Sequence, residues 1–287
     1  MENVLKIVLG TFFKNFSKLS PNLTANIAWS FFCKPRIRKK PLTKFETNLL
    51  QRSEQYTINS GEYEISVYEW HNTNNSSDSR TIIFSHGWGG HALNFSRIIA
   101  ALIENDFNVI AYDSPAHGNS SGNQTTLPCN TQALLDVAKP KETIYALIGH
   151  SFGNMANTYA VDLCKDNSQF AAVEKLILIA GPNKLSDIFA SFTQAMQLPD
   201  SVLNLFHQRV EKLVNRKIRT MSVSIFLQSY RGETLVIHDR KDRIVPFSEA
   251  ESVAKSSAAE LFSTAGHGHF RILTTDSAID RVVNFLN

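Results

Sequence analysis

The chain has 287 residues and a mass of 32.2 kDa, enough for one large domain with or without an inserted subdomain. Its 43% hydrophobic and 19% charged residues exclude a disordered chain, and a net charge of +3 without a long basic tract interleaved with aromatics argues against a nucleic-acid partner. The three cysteines, Cys33, Cys129 and Cys164, lie far apart without CxxC spacing, so neither a disulfide framework nor a cysteine zinc site is indicated and a reducing, cytoplasmic location is expected.

Residues 1–50 read as an N-terminal helical segment followed by a basic linker. The first 35 residues resemble a signal peptide only superficially, because Lys6, Lys14 and Lys18 interrupt the apolar run and no small-residue cleavage site follows closely. The run also falls short of the ~20 uninterrupted apolar residues that a spanning helix needs. Two readings stand side by side: an amphipathic segment docked on the protein, and weak peripheral contact with a membrane. From Lys34 to Lys44, the basic residues Lys34, Arg36, Arg38, Lys39, Lys40 and Lys44 gather around Pro35 and Pro41. This stretch reads as a solvated linker, with an anionic surface as the alternative partner.

Residues 51–287 carry the main domain. Tyr56 to Trp70 alternates apolar and polar residues around Ser60-Gly61, as a hairpin entering a sheet does. A polar turn, residues 71–79, follows. Short apolar runs then suit buried strands: Thr81 to Ser85, Asn108 to Asp113, Thr143 to Gly149, Lys175 to Gly181 and Thr234 to Asp239. Helical spacing fills the gaps, in FSRIIAALIEN, TQALLDVA and FGNMANTYAVDLC. Strand alternating with helix calls for an α/β fold, a mostly parallel sheet covered on both faces. Between Gly181 and Thr234 the alternation stops. About fifty residues without structure would be unusual in a compact domain, so Pro182 to Tyr230 reads as a helical cap insertion, with a helix start at Asp200. A helix through SEAESVAKSS, a strand around AELFST and a closing helix SAIDRVVNFLN complete the chain.

The chemistry-bearing signal is Gly149-His150-Ser151-Phe152-Gly153, a G-x-S-x-G set between an apolar strand and a helix. A serine on such a turn is held in a strained conformation and lifted above the sheet edge. The helix behind it favours developing negative charge. Acyl transfer also needs an oxyanion hole, each donor being worth on the order of 3 kcal/mol. The N–H groups of Phe152, after the nucleophile, and of Trp88, in the glycine-rich loop His86-Gly87-Trp88-Gly89-Gly90, are the expected donors. That loop fits neither GxxxxGK[ST] nor GxGxxG, which argues against a phosphate loop. An acid and a base should follow in the order Ser, Asp, His. After the strand TLVI stand Asp239 and Asp242. Asp242 is the preferred acid, since Asp239 ends the strand and is placed to cap its turn. For the base, Gly266-His267-Gly268-His269 offers two histidines that spacing alone does not separate.

In order along the chain, HGWGG, DSPAHGNSSG, GHSFG, HDRKDRIVP and GHFRIL make it resemble bacterial α/β-hydrolase-fold proteins, often carboxylesterase-like. The resemblance runs from about Trp70 to the C-terminus and is specific for fold and triad, not for substrate. It implies His269, in Gly-His-x-Arg-Ile-Leu, as the base, and it supports Asp242. Asp113 and His117 are expected to shape a loop beside the pocket. Asn154 stands where relatives carry a small residue, so looser packing behind the serine is expected. The implied activity is a serine esterase or thioesterase on a small-molecule substrate, without metal or organic cofactor. Other serine-triad chemistries, such as carbon–carbon hydrolysis or acyl transfer, and a non-catalytic binding protein stay open.

Overall fold

The computed structural model describes residues 17–35, 41–72, 80–165 and 172–287. The first sixteen residues, the centre of the basic linker and most of the polar turn 71–79 lie outside the described residues. The described residues form two compact units, one made of residues 17–34 with 184–222, the other of the described residues within 35–183 and 223–287.

The larger unit is built on an eight-stranded sheet in the order β1-β2-β4-β3-β5-β6-β7-β8. The strands are β1 (Glu54–Ser60), β2 (Tyr63–Trp70), β3 (Thr81–Ser85), β4 (Asn108–Tyr112), β5 (Ala146–His150), β6 (Lys175–Ile179), β7 (Glu233–Asp239) and β8 (Glu260–Thr264). β1 and β2 form an antiparallel hairpin, β2 pairs antiparallel with β4, and every other pairing is parallel. Central strands with both faces covered must be apolar on both faces, which is why Ile82, Ile83 and Phe84 are successive and all fully buried.

Alternation of side chains divides the core between the two faces. On one face Ile82, Phe84, Val109, Ile148, Ile177 and Ile237 pack with the helices Lys44–Gln51, Ser96–Glu104 and Asp276–Leu286. The first of these helices is fixed by a capping box, in which Thr43 and Glu46 satisfy each other's backbone N–H groups. On the other face lie Leu127–Ala138, Phe152–Leu163 and Phe247–Ser256. Burying each such Ile, Val or Leu side chain contributes roughly 1.5–3 kcal/mol.

The smaller unit is helical. The segment Pro21–Phe32 packs with the inserted helices Leu185–Ala195 and Asp200–Val214. Its core is aromatic: the Trp29 and Phe206 rings meet edge to face with centroids 5.1 Å apart, and Phe32 meets Phe189 at 5.0 Å. A bridge between Lys184 and Ser222 closes the base of the insertion. No helix among the described residues is long and apolar enough to cross a membrane.

Candidate active site

A parallel sheet delivers the ends of its strands to one edge, and four of these ends carry the predicted residues. β5 leads into Ser151 and then the helix Phe152–Leu163. Ser151 sits at φ 53°, ψ −120°, a conformation that costs on the order of 1–3 kcal/mol for a residue with a Cβ. Its N–H donates to Ile179 O at 2.9 Å, and its carbonyl accepts from Asn154 N at 3.1 Å. Two glycines make the turn possible. A Cβ on Gly153 would stand 2.0 Å from the Ser85 carbonyl, and one on Gly87 would stand 2.8 Å from Ser151 Cβ. The glycine-rich loop after β3 therefore presses directly against the serine.

Trp88 and Phe152, the two predicted oxyanion residues, are brought together, their rings edge to face at 5.4 Å. Phe152 opens its helix, where the first N–H groups have no intrahelical acceptor. The loop itself is held by two histidines. Gly89 N donates to His117 Nε2 at 3.0 Å, while His117 Nδ1 donates to Pro115 O at 2.9 Å. Ser114 N donates to His86 Nε2 at 2.9 Å, and His86 Nδ1 donates to Gly87 O at 2.8 Å. Each imidazole accepts a hydrogen bond at one nitrogen and donates one from the other, so both must be neutral. Burial pushes His86 down to about 4 and His117 to about 3. Asp113 anchors the neighbouring turn, accepting from Ala92 N at 2.8 Å, Asn119 N at 2.8 Å and Tyr68 Oη at 3.0 Å.

Asp242 and His269 meet. His269 Nδ1 lies 2.7 Å from Asp242 Oδ2, and both side chains are almost wholly buried. The other carboxylate oxygen accepts from Ile244 N at 2.8 Å and Val245 N at 3.0 Å. His238 adds a second imidazole, its Nε2 lying 3.0 Å from Val245 O and 3.4 Å from Asp242 Oδ2. Burial opposes ionisation of Asp242, but the bonds from His238, His269 and the two amides outweigh it and hold the carboxyl below the usual carboxylate range. An ionised Asp242 keeps the proton of neutral His269 on Nδ1 and leaves the Nε2 lone pair open.

Asp239 does different work. Its Oδ1 accepts from Lys241 N at 2.9 Å and Gly266 N at 3.2 Å, and its Oδ2 from Thr264 Oγ1 at 2.8 Å and His267 N at 2.9 Å. His267 thus contributes its backbone to the turn. Among the described residues its imidazole makes no hydrogen bond or ion pair.

Ser151 and His269 share no hydrogen bond among the described residues, and such bonds commonly tighten only with substrate in place. What ties their segments together is His150, beside the serine, whose Nε2 donates to the His269 carbonyl at 2.9 Å. Sequence reading passed over His150, His86 and His238. The first two stand inside GHSFG and HGWGG, which is the signal that could have drawn attention to them. Asn154 also corrects expectation. It is buried and donates to Ile179 O at 3.1 Å, so packing behind the serine is close.

Over residues 76–236 the sequence matches the family described as serine aminopeptidase, S33. No curated protein sequence matches the chain. Among solved structures, the esterase Pf2001 of Pyrococcus furiosus superposes with a TM-score of 0.64 at 20% identity, over 88% of this chain and 95% of that one. Est1E of Butyrivibrio proteoclasticus with bound ferulic acid does so with a TM-score of 0.61 at 18% identity, over 80% and 96%. The thioesterase domain from the curacin biosynthetic pathway gives 0.58 at 15% identity, over 82% and 98%. At such identities the likeness carries the fold, whereas the family match spans more than half of the chain, including the glycine-rich loop after β3 and Ser151. The chain therefore belongs to the serine aminopeptidase S33 family and is a serine hydrolase of the α/β-hydrolase fold.

Proposed function

We propose that the protein cleaves a carboxylic ester or thioester through an acyl-enzyme on Ser151. His269 Nε2 takes the proton from Ser151 Oγ as that oxygen attacks the substrate carbonyl, and the oxyanion is received by the N–H groups of Trp88 and Phe152. The proton then passes from His269 to the departing alkoxide or thiolate. Water attacks the acyl-enzyme with His269 again as base, which releases the acid and restores the serine. Asp242 keeps His269 in the productive tautomer and stabilises its protonated form.

The observation that carries this reading is the 2.7 Å Asp242–His269 pair on a segment bonded to the residue beside a strained Ser151. A buried carboxylate held ionised against an Nδ1–H is the arrangement a general base needs. The names of similar structures, esterases and a thioesterase domain, agree with ester or thioester substrates, and the family's name extends the same acyl chemistry to amides. The three cysteines stand far apart in sequence without CxxC spacing, which agrees with a reducing, cytoplasmic location.

Turnover of short p-nitrophenyl esters should fall by about 10⁴-fold or more in Ser151→Ala, with the melting temperature unchanged. Labelling of the wild type by a fluorophosphonate should vanish in the same variant. Retained turnover or labelling would mean that Ser151 is not the nucleophile. A graded panel of esters, thioesters and aminoacyl amides then identifies the substrate class.

A further inference from the structure

Three segments must be held in register for this chemistry: the nucleophile turn, the loop that carries the base, and the oxyanion loop. One side chain touches all three. His150 is the last residue of β5 and is covalently joined to Ser151. Its Nε2 donates to the His269 carbonyl at 2.9 Å, a bond across 119 positions of sequence, and its ring lies 4.8 Å from the His269 ring. A Cβ on Gly87 would stand 3.0 Å from His150 Nδ1, so the oxyanion loop rests against the same imidazole. A carbonyl can only accept, so Nε2 carries a proton, which in the neutral ring defines one tautomer. Burial, reinforced by His269 nearby, lowers its pKa to about 3 and keeps that tautomer in place across the neutral range.

We propose that His150 is a positioning residue, which sets the separation of Ser151 from His269 by bonding the base-bearing loop to the nucleophile turn. This rests on the reading of Ser151 and His269 given above. No proton moves through His150. Its contribution is geometric, and a displacement of about 1 Å at reacting groups costs up to ~10²-fold in rate.

The inference predicts a pattern of kinetics. His150→Leu fills the site without a donor and should lower kcat on p-nitrophenyl esters by about 10- to 100-fold, with KM within about twofold. His150→Gln places an amide N–H near the position of Nε2 and should restore most of the rate, whereas His150→Asn, whose amide reaches only the Nδ1 position, should not. In a His269→Ala background, His150→Leu should cost nothing further, because a residue acting only through His269 has nothing left to position. Circular dichroism and thermal melts confirm the fold of each variant, and the Gln and Asn comparison decides the matter if the Leu variant does not fold. Equal losses in both backgrounds, a Gln variant as impaired as Asn, or a His150→Leu enzyme at wild-type rate would overturn it. Failure here is separable from failure of the assigned chemistry. If Ser151→Ala and His269→Ala are inactive while His150→Leu is not, only the positioning role is lost.

Discussion

Asp239 and Asp242 stand three residues apart at the end of one strand, and both carboxyls are held below the usual range, yet they serve opposite ends. Burial disfavours the charge of Asp239 too, and it is overcome by donors fixed in place, chief among them the N–H groups of His267 and Lys241 and the Thr264 hydroxyl. Backbone amides do not titrate or turn, so this carboxylate acts as a peg that fastens the Gly266–His267 turn to β7 and β8. Asp242 gives only one oxygen to backbone amides. The other faces two imidazoles, whose protons can move. On the proposed mechanism, the kind of donor a carboxylate meets separates the structural acid from the chemical one, since the number of donors is similar in the two.

Exchanging each acid for its amide is the sharpest way to break this contrast. The largest effect is expected from Asp242→Asn, which no longer fixes the tautomer of His269 and should lower kcat by about 10³- to 10⁴-fold, measured by steady-state ester hydrolysis, with KM little changed. An Asp242→Asn enzyme at near wild-type rate would remove Asp242 from the site. Asp239→Asn turns one acceptor atom into a donor that faces donors, and should destabilise the fold by about 2–4 kcal/mol, read from the denaturation midpoint. Folded Asp239→Asn molecules should keep most of their kcat. If instead kcat collapses in Asp239→Asn and stability falls in Asp242→Asn, the two roles are reversed.

Much of this was legible in sequence. The runs TIIFS and TLVIHD are apolar on both faces because they become central parallel strands, and β3 begins and ends where the run does. The strand–Ser–helix order showed in the G-x-S-x-G run, and a gap in strand spacing marked the helices between β6 and β7. Local competition hid other boundaries. β5 starts three residues later than its apolar run, at Ala146, and continues through His150. The helix expected from Thr131 begins at Leu127, where Thr126 caps it and Pro128 occupies the first turn. The histidine frame was not legible, since His86, His117 and His150 find their partners across turns and strands remote in the chain. Likewise, nothing in Pro21–Phe32 announced that its aromatics would meet Phe189 and Phe206.

That frame has a consequence for acid. In the unfolded chain an imidazole takes up a proton near pH 6.5, whereas in the folded protein His86 does so only at about 4 and His117 and His150 at about 3. A depressed folded pKa stabilises the fold fully above the unfolded value, and the contribution fades as pH falls from there towards the folded value. Each histidine then adds a slope of up to about 1.4 kcal/mol per pH unit. Melting temperature should therefore begin to drop below about pH 6, well before carboxylates titrate near 4, and a flat profile between pH 6 and 4.5 would show that these imidazoles are not held neutral. The frame around Ser151 would then carry its own sensitivity to acid, set by imidazoles that hold backbone in place rather than move protons.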